Sequence, residues 1–476
     1  MKSSTKRLSV LSEKLRKTDS LVKTNKFQEA LAELNSLSDA FDATDFSEER
    51  AQFNYLRGLV LWRLGEKKQA LEPARNALKS YLFLKSFVGV AKSQSLLGYV
   101  LIDLGNLEDA EEHLQLAVSS FKLANDWSQA ARALNRIAYL YSIRGKLDFA
   151  NYFNDQARTC AVKANDRYYE QLLGCSRAVH CRLAGDWKSA LEKLDDFLNQ
   201  SKKAADYFSH VFGLINAGHA KFLGNLLKQA RDHYLEAIRV ASRENLIGSL
   251  KVAYEFLAEL DIAEGRFAEA EENLKKALEI GERVSPYGTI MTQCWRLMGD
   301  LRLAQKEFDL ALEAYATCRS YLIKLPEKLE EGAMYRGMGV CHIRKDQFSL
   351  AQAAFKKAIE IFEACENDWE LAKTYVEAAE CGAFALAELR PKLAWAKGIF
   401  HELEHPSWER RVEGLLGHSE PSSNGIPLRL AHEMADRQRV TQALSETNGN
   451  ISHAAEKLGI SRPALHYKIK RYKLAV

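Results

Sequence analysis

A 40-residue internal repeat constrains the possible folds of this 476-residue chain more than any other feature. One column of the repeat is alanine, at Ala30, Ala70, Ala110, Ala150, Ala190, Ala230, Ala270, Ala311 and Ala351. Five residues before each alanine lies a residue that in most units suits a turn: Asn25, Gly65, Gly105, Gly145, Gly185, Asn225, Gly265, Lys306 and Asp346. Twelve residues before most of the alanines lies another small residue: Gly58, Gly98, Ala138, Ala178, Gly218, Ala258, Gly299 and Gly339. Because the columns share one period, we expect a stacked array of similar units.

The unit that spans residues 96–118 shows what each repeat should form. Its apolar residues recur at helical spacing, stop at Gly105 and Asn106, and then resume. Glycine suits the left-handed position that ends a helix, and asparagine suits the entry into the next one. The small residues Gly98 and Ala110 would let two antiparallel helices approach closely. The sequence therefore predicts helical hairpins that bury their apolar faces only by stacking on neighbours.

Helix-forming residues are abundant and the chain has only 8 prolines, so we expect an all-α fold. The repeat columns resemble the tetratricopeptide repeat, as Trp295–Gly299 followed by Ala311 and Tyr315 illustrates. The 40-residue step is longer than the usual step of about 34 in that family. The resemblance implies a superhelical solenoid over residues 21–400, preceded by an N-terminal segment at 1–20. The array should end in a capping helix that contains Leu393, Trp395, Ile399 and Phe400.

Tetratricopeptide arrays usually bind an extended peptide or a partner domain along their concave surface. Alignment to that family implies that seven residues of the early units face the groove: Tyr55, Leu59, Lys92, Tyr99, Arg132, Asn135 and Tyr139. The alternative is that these residues are only exposed positions on helix faces. The resemblance thus predicts a protein or peptide partner in the groove.

Glycine, serine and proline are concentrated in residues 414–427, which breaks the helical periodicity and predicts a flexible tether. We therefore place a linker at residues 401–427 and a separate C-terminal domain at residues 428–476.

The C-terminal domain has the spacing of a helix-turn-helix. Helices are expected over residues 428–446 and 451–458, and from Ser461 to about Tyr472. Asn450 suits the N-cap of the second helix, because its side chain can accept from the free backbone N–H groups. The core should consist of small and apolar residues, namely Ala454, Ala455, Leu458, Ile460, Leu465 and Ile469.

Residues 449–472 closely resemble the Fis-type helix-turn-helix, the module that ends many bacterial enhancer-binding activators. The resemblance implies that eight residues meet double-stranded DNA. Ser461, Arg462 and Ala464 fall where the family contacts bases, and His466 and Tyr467 fall next to them. Lys468, Lys470 and Arg471 fall where the family contacts phosphates. The family more often has Thr or Ser at the place of Ala464, and Arg or Lys near His466. Such modules work in pairs, so the resemblance also implies a homodimer in which the helix at 428–446 supplies the contact.

Charge is distributed unevenly between the C-terminal domain and the rest of the chain. Residues 428–476 hold nine Lys or Arg and four Asp or Glu. The remaining residues hold 58 basic and 59 acidic side chains and are close to neutral. Any polyanion should therefore meet the C-terminal domain.

No signature of a catalytic or phosphate-binding site occurs in the sequence. The ATPase that usually precedes a Fis-type module would carry G-x-x-x-x-G-K-[ST], and no such motif is present. The 8 cysteines form no C-x-x-C pair and lie in helical stretches, which favours buried thiols over a metal site. We expect a non-enzymatic protein without a metal or cofactor. We find no signal peptide or membrane span, and expect the protein in the cytoplasm, associated with the nucleoid.

Two hypotheses about function follow. The first is a bacterial, sequence-specific DNA-binding transcriptional regulator whose repeat array binds a protein or peptide. The second is a scaffold for protein assembly, in which the C-terminal module is an accessory interaction domain.

Overall fold

The computed structural model describes residues 2–24, 26–41, 47–284, 288–417, 437, 439–447, 449–458, 460, 462–472 and 474. Within these ranges it leaves out the side chains of residues 2–9, 463, 464, 467, 470 and 471. The described residues form α-helices and one short 3-10 helix, and no strand occurs among them.

The helices of the solenoid are α1 (Lys2–Lys23), α2 (Phe27–Leu37), α3 (Glu48–Arg63), α4 (Lys67–Phe83), α5 (Phe87–Asp103), α6 (Leu107–Leu123), α7 (Trp127–Ile143), α8 (Leu147–Lys163), α9 (Arg167–Leu183), α10 (Trp187–Lys203), α11 (Tyr207–Leu223), α12 (Leu227–Arg243), α13 (Ile247–Ala263), α14 (Phe267–Val284), α15 (Thr289–Ala304), α16 (Phe308–Leu322), α17 (Lys328–Arg344), α18 (Phe348–Cys365), α19 (Asp368–Glu380), α20 (Leu386–Glu402) and α21 (Pro406–Leu416). The C-terminal domain contains α22 (residues 439–446), α23 (Ile451–Lys457) and α24 (Arg462–Arg471). The all-α repeat fold predicted from the sequence is confirmed.

The turn at Gly105 shows why the helices stop where they do. Gly105 has φ +81°, and its N–H donates to the carbonyl of Ile102 at 3.0 Å. The N–H of Asn106 donates to Leu101 at 3.0 Å, which completes a Schellman motif. The Asn106 side chain then accepts from the N–H of Asp109 and caps α6. The predicted roles of Gly105 and Asn106 are thus confirmed.

Positive φ recurs down the predicted turn column, and it does so whether or not the residue is glycine. Every described member of the column has positive φ: Gly65, Gly105, Gly145, Gly185, Asn225, Gly265, Lys306 and Asp346. A second turn column, 20 residues after the members of the first from Gly65 to Asn225, was not recognised from the sequence. Its members also have positive φ: Lys85, Asn125, Asn165, Ala205 and Asn245. All ten helices from α4 to α13 consequently have 17 residues and are separated by three-residue turns.

Consecutive helices pack as antiparallel hairpins around the small residues of the repeat. A Cβ added at Gly98 would lie 2.4 Å from Leu114 Cγ and 3.2 Å from the carbonyl oxygen of Ala110, so only glycine allows this approach. At most steps the odd-numbered helices from α3 to α19 also contact the odd-numbered helix of the next hairpin. These helices form the inner wall of the superhelix, whose interior we call the lumen.

The superhelix closes on itself after one turn. Lys146 pairs with Glu366 at 3.2 Å, and the Nε2 of His405 lies 2.8 Å from the carbonyl oxygen of Gly185. Both pairs are separated by 220 residues, about five and a half repeats. We call helices α3–α10 the first coil, helices α13–α21 the second coil, and the line where they touch the seam.

The solenoid extends beyond the boundaries predicted from the sequence at both ends. Leu11 and Leu15 of α1 are buried against α2 and α3, so the segment at 1–20 belongs to the array. Helix α21 buries Val412 against the predicted capping helix α20, so a linker that begins at residue 401 begins too early. Residues 418–427 of the predicted tether lie outside the described residues.

All eight cysteines are free thiols, and six of them are buried. Burial raises the pKa of the Cys365 thiol to about 11. Among the described residues, no helix combines the length and the apolar character needed to cross a membrane.

Candidate nucleic-acid interface and lumen

The C-terminal domain is a compact three-helix unit in its described part. Asn450 caps α23 by accepting from the N–H groups of Ser452 and His453, as predicted. The core contains the predicted Ala454, Ala455 and Leu465, together with part-buried Leu458, Ile460 and Ile469, and adds Val440, Ala443, Leu444 and Tyr472. Val440 and Leu444 are therefore used inside the module. The rest of the expected dimer helix, 428–436, lies outside the described residues.

Three of the predicted DNA-contacting residues have described side chains, and all three lie on α24. Arg462 and His466 are exposed and lie one helical turn apart. Lys468 lies on the other side, between the buried Leu465 and Tyr472, and only 7% of it is exposed. Ser461, and the side chains of Ala464, Tyr467, Lys470 and Arg471, lie outside what the structure describes, so their contacts remain predictions.

The module rests on the seam of the solenoid. Ile460 packs against both the module core and the core of the first coil. The ammonium group of Lys468 lies 3.8 Å from the carboxylate of Glu366, which also pairs with Lys146 across the seam. Lys468 thus meets a carboxylate in the position where the sequence predicts a phosphate contact.

Next to this contact lies a cavity of about 760 Å³ between the two coils and the module. The solenoid contributes six carboxylates to its lining, those of Asp148, Asp186, Glu363, Glu366, Asp368 and Glu402. Arg439 and Tyr472 line it from the module. The basic module therefore lies over an acidic region of the seam.

The structure brings several of the predicted groove residues together on the lumen wall of the first coil. Tyr55 and Tyr99 both pack against the core of the first coil, and burial is the main cause that raises the pKa of Tyr55. The Tyr139 ring centroid lies 5.9 Å from the guanidinium carbon of Arg136, and burial together with Glu327 raises the pKa of Tyr139.

The other predicted groove residues have different surroundings. Arg132 lies 4.6 Å from the Tyr169 ring centroid and 3.5 Å from Asp166, and Asn135 donates to the Tyr169 hydroxyl at 3.1 Å. Leu59 is partly buried against the core, whereas Lys92 is exposed.

Two arginines of this wall were missed from the sequence. The guanidinium carbon of Arg136 lies 4.9 Å from the ring centroid of Tyr99 and 5.3 Å from that of Trp62. Arg63 lies 5.0 Å from the same Trp62 centroid. Desolvation first, and then the nearby charge of Arg136, lower the pKa of Arg63. Arginine at position 136 could have been noticed, because the equivalent positions one and two repeats earlier are the leucines Leu96 and Leu56.

The lumen wall of the second coil carries a network of buried charges, also missed from the sequence. The column that holds Tyr55 and Asn135 continues, in later repeats, with Glu255, Arg296 and Arg336. Arg296 bonds to Asp300 and Glu330, each at 2.5 Å. Following the same column through every repeat would have found these residues.

Burial and neighbouring charges shift the pKa of these groups in opposite directions. Desolvation, with repulsion from Glu330 and Glu259, raises the pKa of Glu255 well above its ordinary range. Burial also raises the pKa of Glu370, but Lys373 and Arg336 outweigh it and lower that pKa to about 2.

Comparison with protein families identifies both parts of the chain. Residues 432–472 match the family described as bacterial regulatory protein, Fis family. Residues 15–81, 91–121, 249–321 and 291–364 match tetratricopeptide repeats. The chain carries tetratricopeptide repeats and a Fis-family helix-turn-helix. The repeat matches cover parts of both coils, and a search of curated proteins found no match for the chain.

Solved structures share the tetratricopeptide-like fold at low sequence identity. A Rap protein in complex with competence and sporulation factor is 16% identical with a TM-score of 0.52, covering 82% of this chain and 99% of its own. Aspartyl phosphate phosphatase F from Bacillus subtilis is 13% identical with a TM-score of 0.46, covering 74% and 93%. The apo quorum sensor NprR from B. thuringiensis is 14% identical with a TM-score of 0.44, covering 78% and 99%. At these identities the likeness concerns the fold alone.

Proposed function

We propose that this protein is a bacterial DNA-binding transcriptional regulator whose tetratricopeptide solenoid binds a protein or peptide in its lumen. The observation that carries the proposal is the Fis-family module with Arg462 and His466 exposed on its last helix. In this proposal the chain has no catalytic activity of its own.

The DNA-binding half of the proposal is supported by charge and by position. The first turn of a recognition helix reaches base edges in the major groove, and Arg462 begins α24. Arginine can bond to guanine with both arms of its guanidinium group. Nine of the 49 residues after position 427 are basic, against four that are acidic. A homodimer would place two such helices about 34 Å apart on successive major grooves.

The ligand-binding half is supported by the closed lumen. The inner wall of the first coil is aromatic and cationic, and the Rap protein that shares the fold was solved with competence and sporulation factor. A ligand held in this lumen would contact both coils. It could therefore change the seam on which the module rests.

A DNA-binding assay with the full-length protein tests the first half. Arg462→Glu should weaken binding to a selected DNA site by at least about tenfold, because a base-contacting cation is replaced by an anion. Arg319→Glu is the matched control, since Arg319 is an exposed arginine on the solenoid helix α16. Wild-type binding should also weaken steeply as salt is raised.

Equal losses for Arg462→Glu and Arg319→Glu, or an affinity that does not change with salt, would contradict the DNA-binding function. Such a result would favour the scaffold hypothesis, in which the C-terminal module contacts protein.

A further inference from the structure

The lumen wall of the first coil holds two arginines that the fold does not neutralise. Among the described residues, no carboxylate lies within ion-pair distance of Arg63 or Arg136. Arg63 is exposed to the lumen, and Arg136 is half-buried. Asp103, an acidic group beside Trp62, accepts from Trp62 Nε1 at 2.9 Å and pairs with Lys67 at 3.5 Å. The acid that could have balanced the arginines is therefore used elsewhere.

Aromatic rings hold the two guanidinium groups in place. Trp62 lies about equally far from both, with its ring fixed by the bond to Asp103. Tyr99 and Tyr139 flank Arg136, at 4.9 Å and 5.9 Å between the guanidinium carbon and each ring centroid. Such contacts stabilise a cation but do not neutralise it. They also leave the N–H groups at the edge of the guanidinium plane able to donate.

Two like charges held this close repel each other, and the enclosing wall reduces their contact with water. Because Arg63 is exposed and Arg136 is half-buried, water screens part of this repulsion, and an anion placed between the two groups would relieve the rest. The equivalent wall of the second coil provides that anion from the chain itself, since Arg336 pairs with Glu370 and Glu377 at 2.7 Å and 3.3 Å. In the first coil no described carboxylate takes that position, so an anion from outside the chain can take it.

We propose that Arg63 and Arg136, framed by Trp62, Tyr99 and Tyr139, form the subsite for a carboxylate of the peptide ligand. The carboxylate is either an Asp or Glu side chain or the free C-terminus. The proposal deepens the proposed function and rests on its ligand-binding half.

A peptide carboxylate fits this site better than a point anion. Its two oxygens lie in a plane and can accept from a guanidinium edge in parallel. The aromatic frame provides flat apolar surface for the rest of the ligand residue. Asn135 and Tyr139, on the same helix, provide polar groups for an extended backbone.

Fluorescence anisotropy with labelled pentapeptide mixtures tests the proposal on the full-length protein. The mixtures carry Glu, Gln or Lys at one fixed position, each with a free or an amidated C-terminus. Wild-type protein should prefer the mixtures that carry Glu or the free C-terminus. Arg63→Gln and Arg136→Gln should each remove about 10- to 100-fold of that preference, the range expected for a lost charged hydrogen bond.

Reversing the charge of both arginines is the most discriminating test of the subsite. The double variant Arg63→Glu/Arg136→Glu should prefer the Lys mixtures, whereas Arg319→Gln, on the outer helix α16, should behave as the wild type. Unchanged thermal unfolding midpoints would show that each variant is folded.

The outcomes separate this inference from the function on which it rests. If peptides bind but show no preference for Glu over Gln and none for a free over an amidated C-terminus, or if charge reversal leaves the preference unchanged, the carboxylate subsite is wrong and peptide binding stands. If no mixture binds the wild type, both are overturned. If inorganic phosphate displaces the peptides and a phosphoserine mixture binds best, the carboxylate assignment is overturned in favour of phosphate.

Discussion

In the second coil Arg336 holds Glu370 and Glu377, whereas in the first coil Arg63 and Arg136 hold no carboxylate among the described residues. Both sets lie on the inner wall of one continuous repeat array. The paired arginine links α17 to α19 and is part of the structure of the wall. Within the part of the chain that the structure describes, Arg63 and Arg136 link no neighbouring helix by an ion pair. Arginine thus closes the wall at Arg336 and leaves charge open at Arg63 and Arg136.

Removing one arginine from each coil is the strongest test of this difference. Arg336→Gln should lower the free energy of unfolding by about 3 kcal/mol, the lower end of the range for breaking a buried pair, because part-buried Glu377 loses this partner and Glu370 keeps only Lys373. Arg136→Gln should change it by less than about 1 kcal/mol, since lost cation–π contacts are offset by relief of repulsion with Arg63. Urea denaturation followed by circular dichroism measures both.

A large loss of stability for Arg136→Gln would break the comparison, because it would show that Arg136 also holds the wall together. A small loss for Arg336→Gln would show that the ion pairs of the second coil do not.

Much of the fold could be predicted because its helix ends and hairpin crossings depend on short-range sequence features. The turn column, Gly98 at the hairpin crossing and the cap at Asn450 each depend on residues close in sequence. The seam could not be predicted, because it results from small rotations that accumulate over 220 residues. No single residue type marks it.

The candidate site was predictable to different degrees. Arg462 and Lys468 came from a short motif whose geometry is fixed by two helices and a turn. Residues such as Tyr99 came from a repeat column, and continuing that column would have reached Glu259 and Asp300. Arg63 lies outside the columns that were aligned. Its importance depends on the absence of a nearby carboxylate, which only three-dimensional contacts reveal.

The two coils lie against each other at the seam, and Gly105 tests this contact. A Cβ on Gly105 would lie 1.9 Å from the Lys324 carbonyl oxygen of the second coil, whereas a Cβ on Gly265 would meet nothing within 4 Å. Both glycines have positive φ, at +81° and +74°. Both alanine variants should therefore have a free energy of unfolding about 1–2 kcal/mol lower than that of the wild type, because of backbone strain.

Gly105→Ala should lose a further 1–3 kcal/mol or so, because the coils must separate to admit the methyl group. Small-angle X-ray scattering should show an increase in the radius of gyration for Gly105→Ala and none for Gly265→Ala. Identical behaviour of the two variants would mean that the seam is open in solution.

The smallest expected effect concerns the second coil and the DNA-binding module together. Glu366 and Glu404 both have positive φ and both pair with a lysine of the first coil, Lys146 or Lys188. Only Glu366 also meets Lys468 of the module. If Lys468 contacts phosphate when DNA is bound, Glu366 competes with DNA for it.

Glu366→Gln should then raise DNA affinity by about two- to fivefold, the range of an exposed ion pair, whereas Glu404→Gln should leave it unchanged. Anisotropy titrations at low and at physiological salt would measure the difference, which should shrink as salt screens the pair. Equal affinities for the two variants would show that the second coil, although rich in carboxylates at the seam, does not restrain the module through Lys468.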